Sequence, residues 1–178
     1  PLSLMKNNYL GEALLYAQRL DEAEKQLLKT LEMDPGWRTP LRNLGFVYIA
    51  SGDYEKSYEM YDRIRREVNQ PGKGTTGSIV ALALLGRREE AQVLLEQLSR
   101  RAKEDSTVAL VGDLAICYAV LGDLDKALYY LNLCYDKNIG IIFLVIRYPI
   151  NRFFKNDERF WHLLERMGLK KYYEVDRD

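Results

Sequence analysis

The chain has 178 residues, with 26 Lys and Arg against 26 Asp and Glu, one His and two Cys, and 47% of it is apolar. A chain of this length buries roughly 70% of its unfolded surface, so it can hold a core without disulfides or metal, and zero net charge argues against a nucleic-acid surface, which needs clustered Lys and Arg. The longest apolar run, Leu114 to Leu121, is eight residues against the roughly 20 of a membrane span, and two Cys fit a reducing, cytoplasmic setting rather than a secreted disulfide framework.

In chain order, the first periodic stretch carries Leu10-Gly11 and then Asp21 to Leu31, where Ala23, Leu27 and Leu31 recur at i, i+4 and i+8. That is one apolar helix stripe with charge on the other side, an outer helix. Asp34-Pro35 closes the unit. The next has Leu44-Gly45, a turn at Gly52-Asp53, and a helix whose Tyr54, Tyr58 and Tyr61 read as packing. Pro71 to Thr76 reads as a turn between units and not a phosphate loop, because the required upstream Gly is missing and a charged helix, not a strand, precedes it. Ile79 to Leu85 is apolar on every side, and Leu114 to Leu121 nearly so; both helices need cover all round. Asp21, Asp53 and Asp123 stand at or just before helix starts and read as caps. Cys117 and Cys134 read as small buried hydrophobes.

The turns repeat. Gly52, Gly86 and Gly122 are 34 and 36 residues apart, each followed five residues on by Ser57, Ala91 or Ala127; Leu10-Gly11 and Ala23 precede Leu44-Gly45 and Ser57 by 34. Paired helices at this period indicate a solenoid, in which each unit covers its apolar face with its neighbour. These residues resemble the tetratricopeptide repeat. The second unit keeps Leu44, Gly45, Tyr48, Gly52 and Tyr61 and matches best. The third keeps Gly86, Ala91 and Leu95, with Ile79 where Gly is usual, and is the degenerate one. The fourth keeps Leu114, Ala115, Tyr118, Gly122, Ala127 and Leu131.

The resemblance implies an all-α, right-handed solenoid of helical hairpins, a tetratricopeptide-like superhelix with a C-terminal capping segment. It implies one domain over 1–178, with repeats at about 4–37, 38–71, 72–105 and 108–141 and a tail at 142–178. In the tail, Asn156 or Asp157 can cap a helix whose stripe is Phe160, Leu163, Leu164 and Met167, and Gly168 ends it. Phe154 to Leu169 also looks like the closing segment of repeat regions in larger bacterial proteins, with Glu158 in place of the usual Pro. That likeness, and a start at Pro1, imply the C-terminal part of such a protein.

In the family, the first helix of each hairpin lines a concave groove. The matching positions are Met5, Asn8, Glu12, Leu15 and Tyr16; Thr39, Arg42, Phe46, Ile49 and Ala50; Lys73, Thr76, Val80, Ala83 and Leu84; and Ala109, Gly112, Ile116, Ala119 and Val120. The candidate peptide-binding residues are Asn8, Glu12, Tyr16, Arg42, Phe46, Ile49, Lys73, Thr76, Val80 and Ile116. The first half is mixed and the second half apolar, so a protein or peptide partner, a second copy or the tail is expected to fill it. The carboxylate clamp of chaperone-binding members would fall on Asn8, Glu12, Asn43, Lys73 and Gly77. Glu12 would repel a carboxylate and the Arg fork is missing, so that chemistry is not expected. His162 beside Glu158 and Glu165 is thin for a metal. No nucleophile, base and orienting group come together. The expectation is a non-catalytic interaction module without cofactor, metal, nucleic-acid or membrane partner, alternatively a structural or self-associating one, with a small-ligand sensor behind both.

Overall fold

The computed structural model describes residues 2–67, 74–104, 109–140 and 150–173. Among them no strand occurs: the chain is all-α, with helices packing in consecutive pairs as in a tetratricopeptide-like helical solenoid. It divides into two compact units, Pro1–Leu94 and Leu95–Asp178. No described helix is long and apolar enough to cross a membrane.

The first unit contains α1 (Leu2–Tyr16), α2 (Leu20–Met33), α3 (Arg38–Ser51), α4 (Tyr54–Glu67), α5 (Thr75–Leu84) and the start of α6 (Arg88–Glu104). α1 packs on α2 and α3 on α4; each outer helix then packs on the next inner one, α2 on α3 and α4 on α5. The inner helices α1, α3 and α5 also touch in that order. Sharp turns make the pairing possible. Gly52 and Gly86 have φ of +84° and +79°, and Gln18 holds the same place in the first hairpin at +58°. After Gln18 and Gly86 the next N–H reaches back five residues, Arg19 to the Leu14 carbonyl and Arg87 to that of Leu82, both at 2.9 Å. Those bonds satisfy carbonyls that a helix end leaves open.

The expected stripe of α2 is present: Ala23 and Leu27 are buried, Leu31 half-buried, and Thr30 joins them. Gly11 sits over Leu27, whose Cγ would lie 2.6 Å from an added Cβ. In the second hairpin Tyr61 is the central core residue. It lies between Gly45 and Gly77, donates its hydroxyl to the Arg42 carbonyl at 3.3 Å, and meets the Phe46 ring edge-on at 6.1 Å. Asp53 caps as expected, accepting from Lys56 N–H at 3.4 Å. Asp21 does not. It stands inside the first turn of α2, whose N-cap is Arg19, because the turn register places the cap directly after Gln18. The turn expected at Pro71 to Thr76 is also shorter: Gly74 is left-handed and Thr75 and Thr76 already belong to α5, while 71–73 lie outside the described residues.

The second unit holds the rest of α6, α7 (Ala109–Val120), α8 (Leu124–Asp136), the 3-10 turn η1 (Ile150–Phe153), α9 (Glu158–Arg166) and the short α10 (Lys170–Tyr173). α7 pairs with α8 through a turn at Gly122, and Asp123 caps α8 by accepting from Lys126 N–H at 3.1 Å. Asp157 caps α9, accepting from Arg159 N–H at 3.0 Å. Gly168 ends α9 at φ +70°, with Leu169 N–H on the Leu164 carbonyl at 2.8 Å. α9 lies on α8. Phe160, Leu163 and Leu164 are buried and Met167 half-buried, and the Phe160 ring stacks on Phe154 at 4.7 Å. Polar bonds fix the rim: Arg159 to Asp125 at 2.7 Å, Arg166 to the Asn132 amide oxygen at 3.0 Å, and the Tyr135 hydroxyl to the Arg166 carbonyl at 3.2 Å.

Candidate functional site

The row of inner helices in the first unit carries most of the candidate residues, and burial divides them sharply. Asn8 and Asn43 are buried, and the Asn43 amide donates to the Asn8 carbonyl at 3.3 Å. That bond ties α1 to α3, because two buried amides satisfy each other where neither can reach water. Phe46, Ile49, Thr76 and Val80 are buried too. Phe46 packs on Tyr61, so its truncation would open a cavity costing roughly 3 to 5 kcal/mol; it is a core residue as well as a groove position. Lys73 lies outside the described residues.

Glu12 and Arg42 are half-buried, and Tyr16 is 51% exposed. The Tyr16 hydroxyl donates to Glu12 Oε1 at 3.3 Å across one turn of α1. The accessible chemistry of the row is therefore an aromatic ring and a carboxylate on α1 and part of a guanidinium on α3, whose Nε is itself buried, on two helices in contact with each other. Charged and aromatic groups of this kind anchor protein segments, while the apolar residues beneath them keep the helices rigid.

Two contacts were not read from the sequence. Tyr48 donates its hydroxyl to Glu24 Oε1 at 2.7 Å, joining α3 to α2. Burial, and then the Glu24 carboxylate, raise the Tyr48 phenol well above its ordinary range. A tyrosine on a buried helix face asks for an acceptor, which is the one sequence signal that pointed there. Gly77, considered only as a clamp position, lets the Tyr61 ring approach α5.

In the second unit Ile116 is buried, as are Ala119 and Val120, and η1 packs on α7, the helix that bears them. The Tyr118 ring stacks on Tyr130 at 5.6 Å, and its hydroxyl is 3.4 Å from Ser99 Oγ. Cys117 and Cys134 are buried thiols. Burial, with a smaller contribution from Asp113, pushes Cys134 up to about 11, which disfavours the thiolate a nucleophile needs. His162 is exposed, 3.7 Å from Glu165. Among the described residues no three His, Cys, Asp or Glu side chains gather in a way that could hold a metal ion.

A tetratricopeptide repeat family model matches residues 79–97, from α5 through the Gly86 turn into α6. The match falls in the unit that the sequence pattern ranks as degenerate; Gly86, Ala91 and Leu95, which that unit retains, all lie inside it. Anaphase-promoting complex subunit 3 of Schizosaccharomyces pombe (strain 972 / ATCC 24843) is 27% identical over 99 residues, which is 56% of this chain and 15% of that protein. The matched hairpin, the turn spacing and the paired helices together support a tetratricopeptide-repeat assignment.

Proposed function

We propose that the chain is a non-catalytic protein-interaction module that holds a peptide or protein segment along the inner helices of its first unit. The observation that carries this reading is the row α1, α3 and α5, on which Glu12, Tyr16 and Arg42 remain accessible above an apolar floor that includes Phe46, Ile49 and Val80. Such a floor fixes the spacing of the anchors before a partner arrives, which lowers the ordering cost of binding. The similarity to a named subunit of a multi-protein complex supports work of this type. The repeat division at about 4–37, 38–71, 72–105 and 108–141, and a place as the C-terminal regulatory or scaffold part of a larger cytoplasmic, bacterial protein, belong to the same reading; the latter rests on the likeness of Phe154 to Leu169 alone.

A photo-crosslinking amino acid placed at Tyr16 tests the binding surface. It is expected to capture a partner protein, whereas the same group at exposed Val93 on α6 is not. Capture at Val93 and none at Tyr16 would move the site to the outer helices. A second reading has its own observation: η1 packs on α7, so in the second unit the chain's own tail supplies cover that a partner would otherwise give. On that reading a crosslinker at the half-buried Tyr118 yields only intramolecular products.

A further inference from the structure

The last turns of α4 pack against the first turn of α5, and the contact is close. An added Cβ at Gly74 would lie 2.6 Å from the Tyr61 carbonyl oxygen and 3.2 Å from Ile64 Cβ, and one at Gly77 would overlap the Tyr61 ring. Arg65 stands one turn after Tyr61 and so shares its side of α4. Ser78 stands one turn after Gly74, and a helical side chain leans toward the N-terminus of its own helix, which carries the Ser78 hydroxyl back over the Gly74–Thr75 turn. Two polar side chains of one seam thus converge on the start of α5.

Both bring donors that nothing accepts. Among the described residues Arg65 Nε and Ser78 Oγ are shut off from solvent without a hydrogen-bond partner, and Ser78 as a whole is fully buried. The backbone adds more donors at the same place. Gly74, the N-cap of α5, is left-handed and offers no side-chain acceptor. The N–H groups of Thr75, Thr76 and Gly77 come before the in-helix bond from Ser78 N–H to the Gly74 carbonyl at 2.9 Å, so they find no acceptor within their own helix. Buried donors are almost always paired, and a group of them left open at one point calls for a shared acceptor.

Charge selects that acceptor. The buried Asp62 carboxylate serves two guanidiniums, Arg65 Nη2 at 2.5 Å and Arg66 Nε at 2.6 Å, while Arg63 is taken up by Glu67 at 2.8 Å. One positive charge is left over. The negative end of α4 and the positive end of α5 offset each other here, so the excess stays with the arginines. A water molecule can accept the hydrogen bonds but leaves that charge unanswered, whereas an oxyanion meets both. Donors from a guanidinium, a hydroxyl and a backbone turn approach from different directions, which suits the tetrahedral oxygens of a phosphate better than a flat carboxylate.

We propose that this seam binds a phosphate group, with Arg65 Nε, Ser78 Oγ and the first N–H groups of α5 as its donors. The Arg66 side chain is 77% exposed, so the site opens to solvent beside it. Neither Arg65 nor Ser78 is a groove position, and this site stands or falls apart from the peptide-binding row. The phosphate is either free or carried on a phosphorylated residue of a partner, and the two sources are separable.

The test is calorimetric titration of the full chain with inorganic phosphate and, in parallel, with a blocked Gly-phosphoserine-Gly tripeptide. Inorganic phosphate or the tripeptide should bind saturably with a Kd at or below about 1 mM, and acetate and chloride about tenfold more weakly or less. Ser78→Ala and Arg65→Gln should each weaken the phosphate about tenfold. Ser78→Ala also deletes the unpaired hydroxyl, so it should raise the melting temperature in phosphate-free buffer and lose the further rise that phosphate gives the parent chain; this readout stands even if Arg65→Gln does not fold. Tighter binding of the tripeptide identifies a phosphorylated partner as the source, and tighter binding of inorganic phosphate identifies the free ion. Absence of saturable binding of both by about 10 mM, unchanged phosphate affinity in Ser78→Ala, or chloride binding as tightly as phosphate would overturn the proposal.

Discussion

Gln18 is the residue at which the first hairpin departs from the others. Its φ of +58° costs a side-chain-bearing residue roughly 1 to 2 kcal/mol relative to the right-handed region, a strain that glycine at the equivalent turns avoids. Gln18→Gly should therefore raise the melting temperature by about 2 to 4 °C, and a fall in thermal melts would show that the turn is not strained. The spacing of 34 residues between Gln18 and Gly52 made the site findable. The residue type hid it, and so Asp21, not Arg19, was read as the cap. The charges at the caps set a pH dependence. Hydrogen bonds from Lys56, Lys126 and Arg159 hold the Asp53, Asp123 and Asp157 carboxyls below their ordinary range. A carboxyl depressed in the folded state adds stability above its unfolded pKa and loses it as pH falls through the folded one. Melting temperature should stay level from neutral pH to about pH 5 and decline below about pH 4, less steeply in Asp123→Asn; an equal decline in that variant would remove this cap from the account.

Between elements, the contact most sensitive to volume is Tyr61 with its two glycines. An added Cβ at Gly45 would lie 2.5 Å from the Tyr61 ring, and one at Gly77 would overlap it. Gly45→Leu and Gly77→Ala should each cost roughly 1 to 3 kcal/mol by overpacking, whereas Gly36→Ala, whose Cβ would meet only Asp34 Oδ1 at 3.6 Å, should leave the denaturation midpoint in place. A Gly45→Leu chain as stable as the parent would mean that the hairpin register is wrong. Gly45 was legible because the repeat pattern keeps a small residue where the two helices of one hairpin meet. Gly77 was not, because it faces Tyr61 of the preceding hairpin, a contact between units that a pattern within one unit does not encode. The tail is an element of the same kind. Phe160→Ala should cost roughly 3 to 5 kcal/mol, and removal of residues 150–178 should expose α8 and promote aggregation; a truncated chain that stayed monomeric and equally stable would end the capping role of α9.

For the whole molecule, fold class was readable because it rests on local periodicity: Ala23 and Leu27 on one stripe, the unbroken apolar run from Ile79, a turn every 34 or 36 residues. The site was only half readable, because a helix position says which way a side chain faces but not what covers it. Asn8, Phe46, Thr76 and Ile116 stand at groove positions and are buried, while Tyr16, Glu12 and Arg42 stay accessible. Those three carry the central claim, that the chain works by holding a protein segment on the inner helices of its first unit. Its most direct test is quantitative affinity capture with the parent chain and with Tyr16→Ala/Arg42→Ala. The Arg42 carbonyl that accepts from Tyr61 is backbone, so that bond is kept in the double variant. The account predicts that partner retention falls about tenfold or more, as loss of two anchors worth roughly 1 to 2 kcal/mol each implies, with circular dichroism unchanged and melting shifted by only a few degrees. Undiminished retention of every partner by the double variant would contradict it.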